Sequence, residues 1–340
     1  MKIVHAILTS GLAGSERYVA DVCNRQALRH DVVLVIWADG RNEQGFSIRD
    51  WVEPRVRIVE MRRLFRRWRF SRIIRCERPD VVHAHLGRAA RLAGSLRGPW
   101  KTVATVHTRY SDKEHRPFDA LIFPTAQHMR NLPADYPGKA EAIANPFVPN
   151  RKLTSAELAG LRAELGLPEG AFVIGGLGRL NTDKGFDLLI RAFGDAAIEG
   201  AVLLIVGGGE EEAELRRIAG PNVRFTGFRA DAKDLFQVFD LYVSPARREM
   251  FGLVFLEAMD AGTPILATET QGALAVLAGT PAQLVPPAET DGTALTRALR
   301  TLAAQRPARR TYDLSRFDME THLDKLDSVY RAPQVRQIKP

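Results

Sequence analysis

The chain has 340 residues, 45% of them apolar and 26% charged. Those proportions exclude a disordered chain or a coiled coil, no run approaches the ~18 apolar residues of a membrane span, and at roughly 100–200 residues per domain the length suggests two domains. The net charge of +8 is uneven: residues 1–150 carry 25 Lys and Arg against 15 Asp and Glu, whereas the remainder carries 23 against 25, so the first half alone is expected to face a polyanion.

In chain order, short apolar and β-branched runs alternate with helix-like stretches. The first half offers strands at Lys2–Leu8, Val32–Ile36, Val56–Val59, Val81–His85, Lys101–Thr105, Leu121–Phe123 and Glu141–Ala144, with a crossover helix at Ser15–Arg29. Nearly continuous apolar character predicts strands buried on both faces of a parallel sheet. The second half repeats the pattern. Strands are expected at Ala171–Gly176, Val202–Val206, Val223–Thr226, Leu241–Ser244 and Pro264–Ala267. Helices are expected at Ser155–Leu165, Phe186–Phe193, Glu210–Ile218, Ala232–Val238 and Leu253–Ala261. The fold class is therefore α/β, with two Rossmann-like, doubly wound domains facing an interdomain cleft. Asn145-Pro146-Phe147-Val148-Pro149 reads as the hinge. The expected division is 1–147, 148–310 and a C-terminal helical segment, 311–340, with a return to the first domain as one option. Two cysteines and an N-terminus without a secretory layout predict reduced thiols and a cytoplasmic protein.

Two segments carry the strongest chemistry. Gly178-Arg179-Leu180-Asn181-Thr182-Asp183-Lys184-Gly185 follows a buried strand and precedes a helix, so Arg179 and Lys184 can converge on one diphosphate. Glu249-Met250-Phe251-Gly252-Leu253 leads into an otherwise apolar helix containing Glu257, an acid that needs a partner or a purpose there. The N–H groups near Phe251, Gly252 and Leu253 are open to an anion.

These segments resemble the retaining nucleotide-sugar glycosyltransferases of family 4, which have the GT-B fold. The pattern G-R-x-x-x-x-K-G, then E-x-F-G-x-x-x-x-E-A-M-x-x-G-x-P, matches Gly178–Gly185 and then Glu249–Met259, Gly262 and Pro264. The first half matches more loosely, through Val81–His85, Val106-His107, Asn145-Pro146 and an opening loop in which Ala13-Gly14-Ser15-Glu16-Arg17 stands for the usual Gly-Gly-Ala-Glu-Arg. The resemblance implies that Arg179 and Lys184 bind the donor diphosphate and that Glu257 holds the ribose hydroxyls. It implies that Glu249, with the amides near Phe251 and Gly252, holds the sugar. His107 would face that sugar, and Gly14 would let the first loop approach the donor. The expected donor is a UDP- or GDP-sugar, with no other cofactor. No D-x-D triplet occurs, so no metal is expected and the two cations take its place.

Two further features concern partners. His83-x-His85 puts two imidazoles on one face of a strand, yet no Cys or acid sits at ligand spacing for zinc. The stretch from Arg62 to Arg75 holds seven Arg and no acid. Phe70, Ile73 and Ile74 fall at helical spacing for packing. Arg62, Arg63, Arg66, Arg67 and Arg69 interleave with the surplus Leu64, Phe65 and Trp68, a combination suited to an anionic membrane or a charged acceptor. Nucleic acid is not expected, since no recognition motif accompanies the charge. The expected activity is transfer of a sugar to a lipid-linked bacterial envelope glycan such as lipopolysaccharide core, peripheral on the inner face of the cell membrane. The rival readings are transfer to a soluble small molecule, a nucleotide-sugar epimerase of the same fold, and a non-catalytic membrane or nucleic-acid binder.

Overall fold

The computed structural model describes residues 1–42, 45–287 and 292–334. The chain divides into two compact units: Met1–Val148 together with the residues from Arg316 onward, and Pro149–Ser315.

In the first unit, β1 (Lys2–Ile7), β2 (Asp31–Trp37), β3 (Arg57–Met61), β4 (Val81–His85), β5 (Lys101–Thr105), β6 (Ala120–Phe123) and β7 (Lys139–Ala142) form one sheet in the order β3-β2-β1-β4-β5-β6-β7. All its pairings are parallel. The helices are α1 (Gly14–Gln26), α2 (Arg66–Glu77), α3 (Leu86–Gly94) and the single turns α4 (Asp112–His115) and α5 (Ala126–Met129). β1, β2, β4, β5 and β6 are buried almost throughout, as their apolar runs demand. β3 and β7 are not, because they are the sheet edges. β7 begins at Lys139 rather than Glu141, and β3 runs on to Met61. Edge strands carry polar residues, so apolar runs locate them poorly.

In the second unit, β8 (Phe172–Leu177), β9 (Ala201–Val206), β10 (Val223–Gly227), β11 (Leu241–Ser244), β12 (Ile265–Thr268) and β13 (Gln283–Val285) pair in the order β10-β9-β8-β11-β12-β13, again all parallel. The helices are α6 (Ser155–Glu164), α7 (Phe186–Ala196), α8 (Glu212–Ile218), α9 (Leu253–Asp260), α10 (Gln271–Val276) and α11 (Thr293–Gln305). The expected helix at Ala232–Val238 is only a 3-10 turn at Asp234–Gln237. α6 starts where Thr154 and Glu157 exchange side-chain-to-backbone hydrogen bonds of 3.2 and 2.8 Å, a reciprocal cap. Phe186, Leu189 and Leu299 pack with Leu203, Ile205 and Val243 into the core on one face of the sheet.

α12 (Met319–Arg331) belongs to the first unit. Asp318 caps its start by accepting the Thr321 N–H at 2.8 Å, and the Lys101 ammonium closes its end by donating to the Val329 and Ala332 carbonyls at 2.5 and 2.6 Å. Residues 335–340 of the expected C-terminal segment lie outside the described residues.

α2 forms as the spacing predicts. Phe70 and Ile74 are fully buried and Ile73 packs beside them. Leu64, Phe65 and Trp68 remain 67%, 68% and 58% exposed. Arg63 is not available to a partner as expected: it pairs with Asp39 at 2.8 Å and lies over the Trp37 ring. Arg69 donates to the Leu64 carbonyl, so Arg62, Arg66 and Arg67 are the open charges of the patch. Among the described residues no helix is long and apolar enough to cross a membrane. Cys23 and Cys76 are both free thiols.

Candidate active site

In an open parallel sheet, ligands bind outside the carboxyl ends of the strands where the strand order reverses. In the second unit that point lies between β8 and β11. The loop after β8 is 178–185 and the loop after β11 runs through Glu249 to α9, so the two segments singled out in the sequence meet at one sheet end. Lys184 Nζ stands 2.5 Å from Glu249 Oε2, although the residues are 65 apart in the chain. The two line a narrow cavity with Leu177, Phe186, Tyr242 and Ser244.

The loops are braced against each other. The Asp183 carbonyl accepts the N–H groups of Arg247 and Arg248 at 2.8 and 3.1 Å. The Arg247 guanidinium forks onto Asp187, in the first turn of α7, at 2.7 and 2.8 Å. Gly185 makes this close approach possible: its φ is +66°, and a Cβ there would stand 2.3 Å from the Pro245 carbonyl oxygen. Arg247 and Asp187 escaped the sequence reading because a structural brace leaves no mark in spacing.

Arg179 lies in the same loop and is exposed, with no ion-pair or hydrogen-bond partner for its guanidinium among the described residues. Glu249 also accepts the Met250 N–H at 3.1 Å through its other oxygen. Phe251 is buried and Gly252, at φ +85°, turns the chain into α9, where the first N–H groups have no intrahelical partner. Glu257, on α9, is largely buried and lies 3.9 Å from the Lys233 ammonium. That answers the need for a counter-charge, and nothing in the residues flanking Lys233 advertised it.

In the first unit the order reverses between β1 and β4. Gly14 opens α1 directly after the β1 loop. Ala13 is extended, with φ −138°, so alanine serves where the related loop carries glycine. Buried Glu16 accepts the Ala13 N–H at 3.0 Å and the Ser15 hydroxyl at 2.9 Å. Leu86, directly after β4, holds φ +63°, a conformation costing about 1–3 kcal/mol and concentrated at functional sites.

His107 follows β5 and is half-buried. Its ring meets His85, whose other neighbours are His83 and His5. Ring nitrogens of His5, His83 and His85 lie within 4.8 Å of one another. Every one of them already has a hydrogen-bond partner: Gln26 and His85 for His5, Tyr330 and Thr105 for His83, His5 and His107 for His85. That is the wiring of a satisfied polar network, and a metal would have to break it. Burial lowers His5 to about 4 and His107 to about 3, and holds His83 and His85 well below the usual range.

Comparisons with known proteins bear on the family and the fold. Residues 12–142 match the family model Glycosyltransferase Family 4, and residues 171–305 match Glycosyl transferases group 1. The lipopolysaccharide core biosynthesis glycosyltransferase LpsD of Rhizobium meliloti (strain 1021) is 30% identical over 291 residues, which span 80% of this chain and 79% of LpsD. LpsE of the same strain is 28% identical over 80% of both chains. Among solved structures, Anabaena Alr3699/HepE in complex with UDP-glucose superposes with a TM-score of 0.82 at 21% identity, covering 97% of this chain and 99% of its own. WaaG, a glycosyltransferase involved in lipopolysaccharide biosynthesis, does so at 0.70 and 17%, covering 96% and 95%. Two parallel sheets, each with its loops gathered at a strand-order reversal, and a relative matched over four-fifths of the chain lead to one assignment: the chain belongs to the GT-B glycosyltransferases, with a family 4 first half and a group 1 second half.

Proposed function

We propose that this glycosyltransferase is retaining and moves a sugar from a UDP- or GDP-sugar to a lipid-linked bacterial envelope glycan such as lipopolysaccharide core. The observation that carries the donor half is the Lys184–Glu249 pair beside exposed Arg179 at the strand-order reversal of the second unit. Arg179 forks onto the donor diphosphate, and Lys184 adds a compact charge. As the glycosidic bond breaks, negative charge grows on the leaving nucleotide. Fixed cations and the amides of Phe251, Gly252 and Leu253 stabilise that charge without reorganising. Glu249 holds hydroxyls of the transferred sugar and Glu257 those of the ribose. His107 takes a sugar hydroxyl, and Gly14 keeps the first loop clear of the donor. Attack on the face the diphosphate leaves, with the phosphate taking the acceptor's proton, gives retention through an oxocarbenium-like transition state. The relatives LpsD and LpsE, both named for lipopolysaccharide core biosynthesis, support the acceptor half.

A panel of UDP- and GDP-sugars, assayed for hydrolysis and transfer in excess EDTA, tests the donor reading. One donor should turn over with the chelator present and, at 100 times its dissociation constant, stabilise the protein by about 2.7 kcal/mol. Protection by none, or activity lost in EDTA and restored by Mn²⁺, overturns it.

The acceptor reading includes attachment to the inner membrane face through α2. Its support is the positive excess of the first half and exposed Leu64, Phe65 and Trp68 beside open Arg62, Arg66 and Arg67. Each base near an anionic surface contributes about 1 kcal/mol, decaying over a Debye length. Sedimentation with anionic liposomes should be strong at low salt, weaken as salt rises, and fall when these three Arg become Ser. Wild-type protein that ignores such liposomes would make a soluble acceptor the better reading.

A further inference from the structure

Three neighbouring loops at the carboxyl ends of the first sheet leave positive charge unmatched. β4, β5 and β6 are adjacent, with His85 level with Thr105 and Thr105 level with Ile122, so the loops that follow them leave the sheet side by side. Arg88 follows β4, Arg109 follows β5 and Arg130 follows β6. All three are exposed, and their guanidinium groups have no hydrogen-bond, ion-pair or ring partner among the described residues. The acids of the same loops are all engaged. Glu114 lies 3.4 Å from Arg91, Asp112 accepts the Tyr110 hydroxyl at 2.6 Å, and Asp135 pairs with Arg116 at 2.6 Å. The buried Asp119 carboxylate accepts the Thr102 N–H at 2.8 Å. The position of Arg88 is built by the chain around it. Leu86 enters α3 in its strained left-handed conformation, and Gly87 lacks a Cβ where one would stand 2.5 Å from the Glu114 carboxylate. Both let the first turn of α3 close onto α4, which sets Arg88 beside the loop carrying Arg109. Tyr110, next to Arg109, stacks on His115 of α4 with ring centroids 5.6 Å apart, so that loop is tied to α4 as well.

We propose that Arg88 and Arg109, flanked by Arg130, form a subsite for an anionic group on the acceptor, a phosphate or a carboxylate carried by the sugar. Each guanidinium offers two parallel N–H groups that match the oxygens of either group. The carboxyl ends of parallel strands are where such sheets take ligands. The subsite is separate from the α2 patch, because Arg62, Arg66 and Arg67 follow the edge strand β3, and β2 and β1 lie between it and β4. A charged acceptor satisfies these arginines and a neutral one does not, so the subsite selects between them. The site belongs to the first unit alone; that its ligand is the acceptor rests on the function proposed above.

Titrations of the full-length protein without donor compare glucose, its 1- and 6-phosphates, glucuronate and inorganic phosphate. An anionic sugar should bind at least about tenfold more tightly than glucose, the scale of one charge-assisted hydrogen bond. The phosphates lead if the group is a phosphate, and glucuronate leads if it is a carboxylate. Arg88→Gln with Arg109→Gln should weaken that probe by about 10–100-fold, with the thermal transitions of the protein unchanged. Arg55→Gln with Arg75→Gln removes the same charge from exposed positions elsewhere in the first unit and should leave binding as it was. Arg179→Gln should also leave it as it was. Anionic sugars that bind no better than glucose overturn the proposal. So does equal weakening in the two double variants, which would make the effect one of net charge, and so does loss in Arg179→Gln, which would put the anion in the second unit. If no nucleotide-sugar is turned over while a probe still binds through Arg88 and Arg109, the function proposed above fails and the anion subsite stands.

Discussion

Lys184→Ala is expected to lower turnover by roughly 10²–10³-fold, the scale for losing one preorganised electrostatic contact. The ammonium sits 2.5 Å from Glu249, with the two side chains 29% and 14% exposed, so neither charge is fully screened by water. Removing Lys184 therefore acts twice. It deletes a cation from the proposed diphosphate site, and it leaves the Glu249 carboxylate uncompensated where the anionic donor is proposed to bind. Arg179→Lys is expected to be damaging too, since a point charge does not replace a fork. A cycle with Glu249→Gln separates the roles of the pair. If Glu249 only steadies Lys184, the second substitution recovers activity in the Lys184→Ala background. If Glu249 holds the sugar, it costs activity in both backgrounds. Near-normal kinetics in Lys184→Ala would remove the basis of the donor site.

The sequence carried this site because both halves of it lie in loops that follow buried strands. Parallel pairing sends every βα loop to the same sheet end, so two charged loops after β8 and β11 must meet once those strands are neighbours. The central strands were legible for the same reason: Val202–Val206 is apolar at every position. Edge strands such as β7, with Lys139 and Glu141, carry no such signal. The histidine chain was hidden for a different reason. His5 and His83 face each other only through the β1–β4 register, and His322 arrives on a helix 304 residues beyond Tyr18. His83-x-His85 showed only one strand face, His5 and His322 have no pattern around them, and a network assembled by strand register and a returning helix has no spacing to read. The bracing pair Arg247 and Asp187 was missed likewise, since i-to-j contacts between two loops leave no period.

All eight histidines lie in the first unit, and residues 149–315 contain none. Between pH 6.5 and 5 the two units should therefore separate in stability. His5 and His322 are held at about 4 by burial, against about 6.5 in an unfolded chain. In the window between those values the unfolded state binds more protons than the folded one, so stability rises with pH and is lost as pH falls. Each group costs about 1.4 kcal/mol per pH unit below 6.5, so at pH 5 these two together cost about 4 kcal/mol. His83, His85 and His107 act in the same direction. Against a typical domain stability of about 5–15 kcal/mol, that is enough to bring the first unit close to unfolding. Calorimetry at pH 7 and pH 5 should show one transition falling steeply while the other moves little. A bound nucleotide should protect the acid-resistant transition, since the donor site proposed above lies in the histidine-free unit. Replacing His5 with Gln keeps a neutral hydrogen-bonding side chain and removes one titrating group, so the slope of stability against pH should fall by about 1.4 kcal/mol per unit. If both transitions shift together, or if neither does, the buried imidazoles are not what sets acid stability.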